Sequence, residues 1–231
     1  MVNEDELVHL FTARCQDLSF PVNSEQYERF NRYIQKNSYN GKLKLVNLGL
    51  AIDSSKAIYD ILSGNTNIKR LYIGQNNLHD EGAKVIAECL NVANNLIHLD
   101  ISSNNISPLG LEPILNNLYN NNTLVSLNLS SPDRSRRNKL GVRGAEMVRN
   151  LLQCSKFIQY INVSSTALLN EGAELILEGI QGNPNIVSLI MKANEMTHVV
   201  MKQLTDAVVA SGIEYLDISQ NNIGNAGMSD F

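Results

Sequence analysis

The chain has 231 residues and a formal net charge of -4 at pH 7. This charge balance gives no overall attraction to nucleic acid or to an anionic membrane, so we expect neither as a partner. Cys15, Cys89 and Cys154 form no CxxC pair and are odd in number, which argues against a disulfide framework and against a zinc site. The N-terminus MVNEDELVHLF lacks the basic and apolar regions of a leader, and no apolar run approaches about 18 residues. We therefore predict a cytoplasmic protein without a membrane span, metal or cofactor.

Residues 1–42 differ in pattern from the rest of the chain, and we expect them to form a helical N-terminal cap. Leu7 and Phe11 fall on one face of a first helix, and Pro21 interrupts it. Asn23 is suited to open a second helix as its N-cap. We expect both helices to pack on the first strand that follows.

From residue 43 onward one pattern recurs, in copies that begin at Leu43, Ile68, Leu96, Leu124, Ile158, Ile186 and Ile213. The last six copies start 28, 28, 34, 28 and 27 residues apart, so the unit is close to 28 residues. Each carries apolar residues at offsets 0, 3, 5 and 10 and usually Asn at offset 8. The first copy is degenerate: Leu43, Val46 and Leu48 fill offsets 0, 3 and 5, and then the pattern lapses. A repeat of this period is typical of a solenoid.

The copy that begins at Ile68 shows what each unit folds into. In RLYIG, apolar and other residues alternate, which predicts a short strand. Ala83, Ile86 and Leu90 then follow at spacings of three and four, which predicts one buried helical face. Each unit therefore predicts one strand and one helix around a shared core.

The segments LIHLDISSNNI, LVSLNLSS and IEYLDISQNNI resemble the L-x-x-L-x-L-x-x-N-x-L consensus of leucine-rich repeat proteins. The unit length and the helical phrase LHDEGAKVIAECL are similar to the ribonuclease-inhibitor-like subfamily. The resemblance implies an α/β leucine-rich repeat solenoid, a curved horseshoe with a parallel sheet on its concave side and helices on its convex side. It would cover residues 43–231 with about seven repeats, the last incomplete.

The resemblance also implies that the Asn residues at offset 8 join successive turns in a ladder of hydrogen bonds. These residues are Asn76, Asn104, Asn138, Asn194 and Asn221. Thr166 replaces Asn in the Ile158 copy, and Asn138 reaches its place only after an insertion. We expect a weakened ladder in these two turns.

Outward side chains of the strands are candidates for binding a protein partner through the concave face. We select Arg70, Tyr72, His98, Asp100, Tyr160, Tyr215 and Asp217. Tyrosine is a good anchor because it buries a large area at low entropic cost and keeps a hydroxyl group for hydrogen bonding. The alternative is that tyrosines simply suit an exposed strand.

The six extra residues in the Leu124 copy lie within SPDRSRRNKLGVR, the densest basic segment of the chain. Its cations are Arg134, Arg136, Arg137, Lys139 and Arg143. We expect this basic loop to project from the edge where strands lead into helices. It would bind an acidic protein surface or a phosphate-bearing ligand, or it is simply solvated.

The copy at Ile213 places Met228 and Phe231 on the first two helix-core positions, and the sequence stops there. The predicted helix is thus one apolar position short. Two explanations remain open: the chain is part of a longer protein with further repeats, or a partner or a second copy of the chain covers the open edge.

Catalysis has little support in the sequence. The nearest candidate is His98 beside Asp100 with Ser126 one turn along, but nothing suggests a pocket or an oxyanion hole. We predict a non-catalytic scaffold or regulator that binds a protein through the concave face and the basic loop. One alternative is a GTPase-activating or enzyme-inhibiting regulatory module, since one branch with similar repeats stimulates a small GTPase. Another is a pathogen effector acting on host proteins.

Overall fold

A computed structural model of the protein describes residues 2–224. Seven strands pair in parallel, in chain order, to form one sheet. They are β1 Lys42–Lys44, β2 Arg70–Tyr72, β3 His98–Asp100, β4 Ser126–Asn128, β5 Tyr160–Asn162, β6 Ser188–Ile190 and β7 Tyr215–Asp217. The predicted helix positions Met228 and Phe231 lie outside the described residues.

Eight α-helices accompany the strands within residues 2–224, and α3 to α8 each follow one strand. They are α1 Glu4–Asp17, α2 Ser24–Asn37, α3 Ile52–Gly64, α4 His79–Val92, α5 Pro108–Leu118, α6 Gly141–Cys154, α7 Leu169–Ile180 and α8 Met201–Val209. None of these helices is both long and apolar enough to cross a bilayer.

The core runs continuously between the sheet and the helices. The central residue of a strand, such as Leu71, points into it, and so do helix residues such as Ile86; both are fully buried. Because successive side chains of a strand point to opposite faces of the sheet, one face packs on the helices and the other stays open. The predicted α/β solenoid of strand-helix units is confirmed.

The N-terminal helices pack on the first repeat from two directions. α2 lies against β1, whereas α1 packs mainly against α3. The Asp17 carboxylate at the end of α1 accepts hydrogen bonds from the N–H groups of Ala51, Asp53 and Ser54 and so caps α3. Helix α1 therefore takes the place of a preceding repeat helix, which differs from the expectation that both helices lie on the strand.

The predicted register of the first repeat is wrong by three residues. Leu43 pairs with Leu71, so it occupies offset 3 rather than offset 0, and the repeat begins at residue 40. The predicted register would have turned Leu45 outward, whereas the observed one buries Leu43, Leu45 and Leu50 completely. The same shift places Lys42 and Lys44 on the open face of the sheet.

Asn76 shows how the ladder joins two turns. Its Nδ2 donates to the carbonyls of Leu45 at 2.8 Å and Ile73 at 2.9 Å. Its Oδ1 accepts from the N–H groups of Leu48 at 2.9 Å and Leu50 at 3.1 Å. Side chains of Asn104, Asn138, Asn194 and Asn221 likewise bond to their own turn and to the preceding one.

At the Thr166 turn the asparagine ladder is interrupted, but the backbone N–H groups of the preceding turn find other partners. Thr166 Oγ1 donates to the Val163 carbonyl within its own turn at 2.6 Å. In the preceding turn the Asn138 N–H donates instead to Ser131 Oγ at 2.8 Å, and the Leu140 N–H donates to the Thr166 carbonyl at 3.1 Å. A serine hydroxyl and a backbone carbonyl thus replace the missing amide.

Candidate protein-interaction face

The open face of the sheet, here called the sheet face, consists of the outward side chains at the two ends of each strand. The strands align these side chains in rows, so that Lys42, Arg70 and His98 are neighbours in one row and Lys44, Tyr72 and Asp100 in the next. All seven residues predicted to bind a partner lie on this face. Lys42 and Lys44 lie there too and were missed, because the first repeat was placed in the wrong register.

Aromatic rings and a lysine form a connected group at the amino-terminal end of the sheet face. The Lys42 Nζ lies 5.1 Å from the ring centroid of Tyr72 and 5.6 Å from that of Tyr39. The ring centroids of Tyr72 and His98 are 4.5 Å apart. Cation–π and ring contacts of this kind hold the side chains in place beside one another.

Three cations at this end have no acidic partner. Lys42, Lys44 and Arg70, here called the basic patch, make no ion pair within residues 2–224. Strands β1 and β2 also carry no carboxylate, and the first acidic residue of the sheet face is Asp100. The basic patch is therefore a local positive region on a chain whose net charge is -4.

His98 lies at the boundary of this region. Its Nδ1 is 2.9 Å from Ser126 Oγ, and its buried Nε2 has no hydrogen-bond partner among residues 2–224. Burial lowers the pKa of His98, and the Arg70 charge acts in the same direction, whereas the Asp100 charge opposes it. The imidazole is therefore held in its neutral form near pH 7.

The acidic and amide residues at the carboxyl ends of the strands have a local structural role. Asp100 Oδ1 accepts from the Ser102 N–H at 2.9 Å, and Asp217 Oδ1 accepts from the Ser219 N–H at 2.9 Å. The hydrogen bonds from Ser219 hold the pKa of Asp217 below its usual value. Such Asx turns end the strands, so one oxygen of each predicted binding aspartate is already engaged.

The carboxy-terminal half of the sheet face offers exposed tyrosines instead of cations. Tyr160 is 45% exposed and Tyr215 is 54% exposed. His98, Ser126 and Tyr160 are neighbours in one row, and beside them lies a shallow depression lined also by Ser188 and Ile190. Half-exposed tyrosines beside small residues are suited to packing against a protein surface.

The prediction that the basic loop projects from the edge is wrong, because two of its arginines hold it flat. Arg136 Nη1 donates to the Gln75 carbonyl at 2.8 Å and to Asn47 Oδ1 at 3.1 Å. Arg137 Nε donates to the Ser165 carbonyl at 2.8 Å. The loop thus lies along the edge of the sheet and is bonded to repeats on both sides of it.

The other three cations of this segment are in different surroundings. Arg143 lies on α6 and pairs with Glu112 at 3.6 Å. Arg134 and Lys139 are exposed and make no ion pair within residues 2–224. The five predicted basic residues therefore differ in their partners and in their exposure, and a shared binding site stays a prediction.

The repeats match those of a known family. Residues 64–87, 92–115 and 213–231 match the leucine-rich repeat family, and the parallel strand-helix units described above have its architecture. The chain contains leucine-rich repeats. The narrower prediction of a ribonuclease-inhibitor-like subtype stays a prediction.

Two solved structures of other proteins are similar to parts of this chain. The structure titled Leiomodin-1 Actin-Binding Site 2 has a TM-score of 0.51 and 18% sequence identity, and the match covers 68% of this chain and 91% of that one. The TLR13-ssRNA13 complex matches with a TM-score of 0.38 and 15% identity over 77% of this chain and 29% of that one. No curated protein sequence matches the chain. At 18% identity the likeness to the leiomodin-1 structure shows the fold alone.

Proposed function

We propose that this leucine-rich repeat protein is a non-enzymatic scaffold that binds a protein partner through the sheet face. The observation that carries the proposal is the array of outward side chains on seven paired strands, with cations at one end that make no ion pair within residues 2–224 and exposed tyrosines at the other. Their spacing is set by backbone pairing, so a partner meets a pre-formed surface and little ordering is needed on binding.

The geometry around His98 supports a binding role rather than acyl-transfer chemistry. A Ser-His-Asp relay requires a carboxylate on the imidazole, but Asp100 accepts from the Ser102 N–H and the His98 Nδ1 faces Ser126. The depression beside His98 is shallow and open, whereas an oxyanion hole acts in a site that excludes water.

Affinity capture from native lysate, with quantitative mass spectrometry, tests the proposal. The test variant replaces Tyr72, Tyr160 and Tyr215 with alanine. The matched control replaces Phe20, Tyr119 and Phe157, three exposed aromatic residues outside the sheet face. We expect partner recovery to fall in the test variant only; equal recovery from both variants would contradict binding through this face.

A GTPase-activating role, the alternative suggested by the arginine-rich loop, requires an arginine free to reach a phosphoryl group. Arg136 and Arg137 are bonded to backbone carbonyls, which leaves Arg134 as the exposed candidate of the loop. A turnover assay over a panel of small GTPases, with Arg134→Ala as the comparison, decides the matter: no acceleration by the wild-type protein removes this alternative.

A further inference from the structure

We propose that the basic patch binds an extended acidic segment of the partner protein, with carboxylates on alternate residues. This inference rests on the proposed function, since it names the kind of partner that the amino-terminal end of the sheet face recognises. It combines three observations: unpaired cations, their spacing on paired strands, and the aromatic rings beside them.

The unpaired cations supply the attraction. Lys42, Lys44 and Arg70 have no ion pair in residues 2–224, so a carboxylate that reaches them displaces no acidic side chain. Arg70 is exposed, and the two lysines are half-buried on the sheet, where charges attract more strongly than in bulk water. Opposite charge on the partner is therefore the simplest complement to this surface.

The spacing of the cations suits an extended peptide. Lys42 and Lys44 are two residues apart on β1, a separation of about 6.6 Å along a strand. An extended peptide carries its alternate side chains on one face at the same interval, about 6.6 Å. Arg70 lies beside Lys42 on the paired strand, about 4.8 Å away, so one carboxylate can contact both cations.

The rings beside the cations supply apolar contact for the same segment. Tyr72 lies between Lys42 on one side and His98 on the other, and Tyr39, which is 56% exposed, flanks Lys42. The methylene groups of an acidic side chain can pack over such rings while its carboxylate reaches the lysine.

The charge distribution favours a polypeptide over nucleic acid. The basic patch has only three cations, and Asp100 follows directly on β3. Nucleic-acid binding at physiological salt usually neutralises many more phosphates, and the net charge of -4 opposes it.

Fluorescence anisotropy with labelled peptides tests this inference on the full chain. The probe alternates Glu with Ser. The comparison peptides alternate Gln or Lys with Ser, or carry the same Glu and Ser content in blocks. The test variant is Lys42→Gln, Lys44→Gln and Arg70→Gln. The matched control is Lys56→Gln, Lys84→Gln and Lys202→Gln, which makes the same charge change on the helices.

We expect the alternating Glu peptide to bind best and to bind more weakly as salt rises. The test variant should bind it about tenfold more weakly, since ion pairs at a surface that is only partly buried each contribute a modest factor, and the control should bind as wild type. Equal weakening in both variants would mean that net charge alone accounts for the lower affinity, and it would overturn the proposal. Tighter binding of an oligonucleotide, or equal binding of the Gln peptide, would overturn it as well.

An unfolding measurement and a comparison with the affinity-capture experiment make the peptide result interpretable. The unfolding midpoint of the test variant should stay close to that of wild type, because its three side chains make no ion pair in residues 2–224 and the variant loses only the cation–π contacts of Lys42 at the surface. If the acidic peptide fails to bind while the tyrosine variant still loses its captured partner, the acidic-segment inference fails and the proposed function stands. If both results are negative, the sheet face itself is not the binding site.

Discussion

Replacing Asn76 with alanine should loosen the first repeat from the second. The side chain is fully buried and joins β1 and its following loop to β2 through donor and acceptor bonds. Alanine would leave the N–H groups of Leu48 and Leu50 and the carbonyl of Leu45 without this partner. A buried group left unpaired costs about 1–3 kcal/mol, so we expect Asn76→Ala to lower the free energy of unfolding by about 3 kcal/mol once water has partly replaced the amide.

In a domain of this size, that loss corresponds to a fall in Tm of about 6–12 °C. Denaturant unfolding measures the free energy, and hydrogen exchange at Leu48 and Leu50 locates the effect. Asn122→Ala, at an exposed position, is the control. Asn76→Thr should fall between the two, because Thr166 shows that threonine keeps the bond within its turn. A loss below about 0.5 kcal/mol, or one no larger than the control, would refute the ladder argument.

Three other perturbations test separate parts of the structure. Because burial lowers the pKa of His98, its neutral form stabilises the fold above about pH 6.5, and this contribution is lost as pH falls through the folded-state pKa. Unfolding midpoints at pH 7 and pH 5 should therefore differ more in wild type than in His98→Asn. An equal difference in both proteins would contradict the role of His98 in this pH dependence. Arg136→Gln should release the basic loop and speed its cleavage by trypsin about tenfold, as timed by mass spectrometry, whereas an unchanged rate would mean that the bond to Gln75 does not hold the loop. Gly110→Ala should lower the free energy of unfolding by about 2 kcal/mol in denaturant unfolding, because the new Cβ would lie 2.7 Å from the Asp80 Cα. Gly64→Ala serves as its control, since the Cβ added there meets nothing closer than 4.0 Å. Equal effects of the two substitutions would show that the helices move to accommodate the Cβ at residue 110.

The strand-helix repeat could be predicted because it depends on a local pattern. Apolar residues at offsets 3 and 5 with Asn at offset 8 specify the strand, its buried face and the turn that follows. The pairings of β2 to β7 follow this predicted register.

The first repeat was misplaced because Leu48 takes the usual Asn position and residue 40 is polar. The alternating leucines of KLKLVNLGL then fit two registers. Leu50 at offset 10, and a start 28 residues before Ile68, were the signals that could have found the observed one. Because of this error, two of the three cations of the basic patch, Lys42 and Lys44, were not predicted to lie on the sheet face.

The path of the basic loop was not predictable from its own residues. Arg136 is held by Asn47 and Gln75, which lie 89 and 61 residues earlier in the chain. A charge-rich sequence is equally compatible with a solvated loop, and only the tertiary structure brings these carbonyls within reach. The same holds for Ser131, whose hydroxyl replaces the missing ladder amide.

Site-specific photo-cross-linking in native lysate tests binding through the sheet face most directly. A photoreactive phenylalanine analogue at Tyr160 lies on the sheet face, and the same analogue at the exposed Gln153 lies on α6. We expect a discrete protein adduct from position 160 and none of that mass from position 153. The same adduct from both positions, or from position 153 alone, would contradict binding through the sheet face.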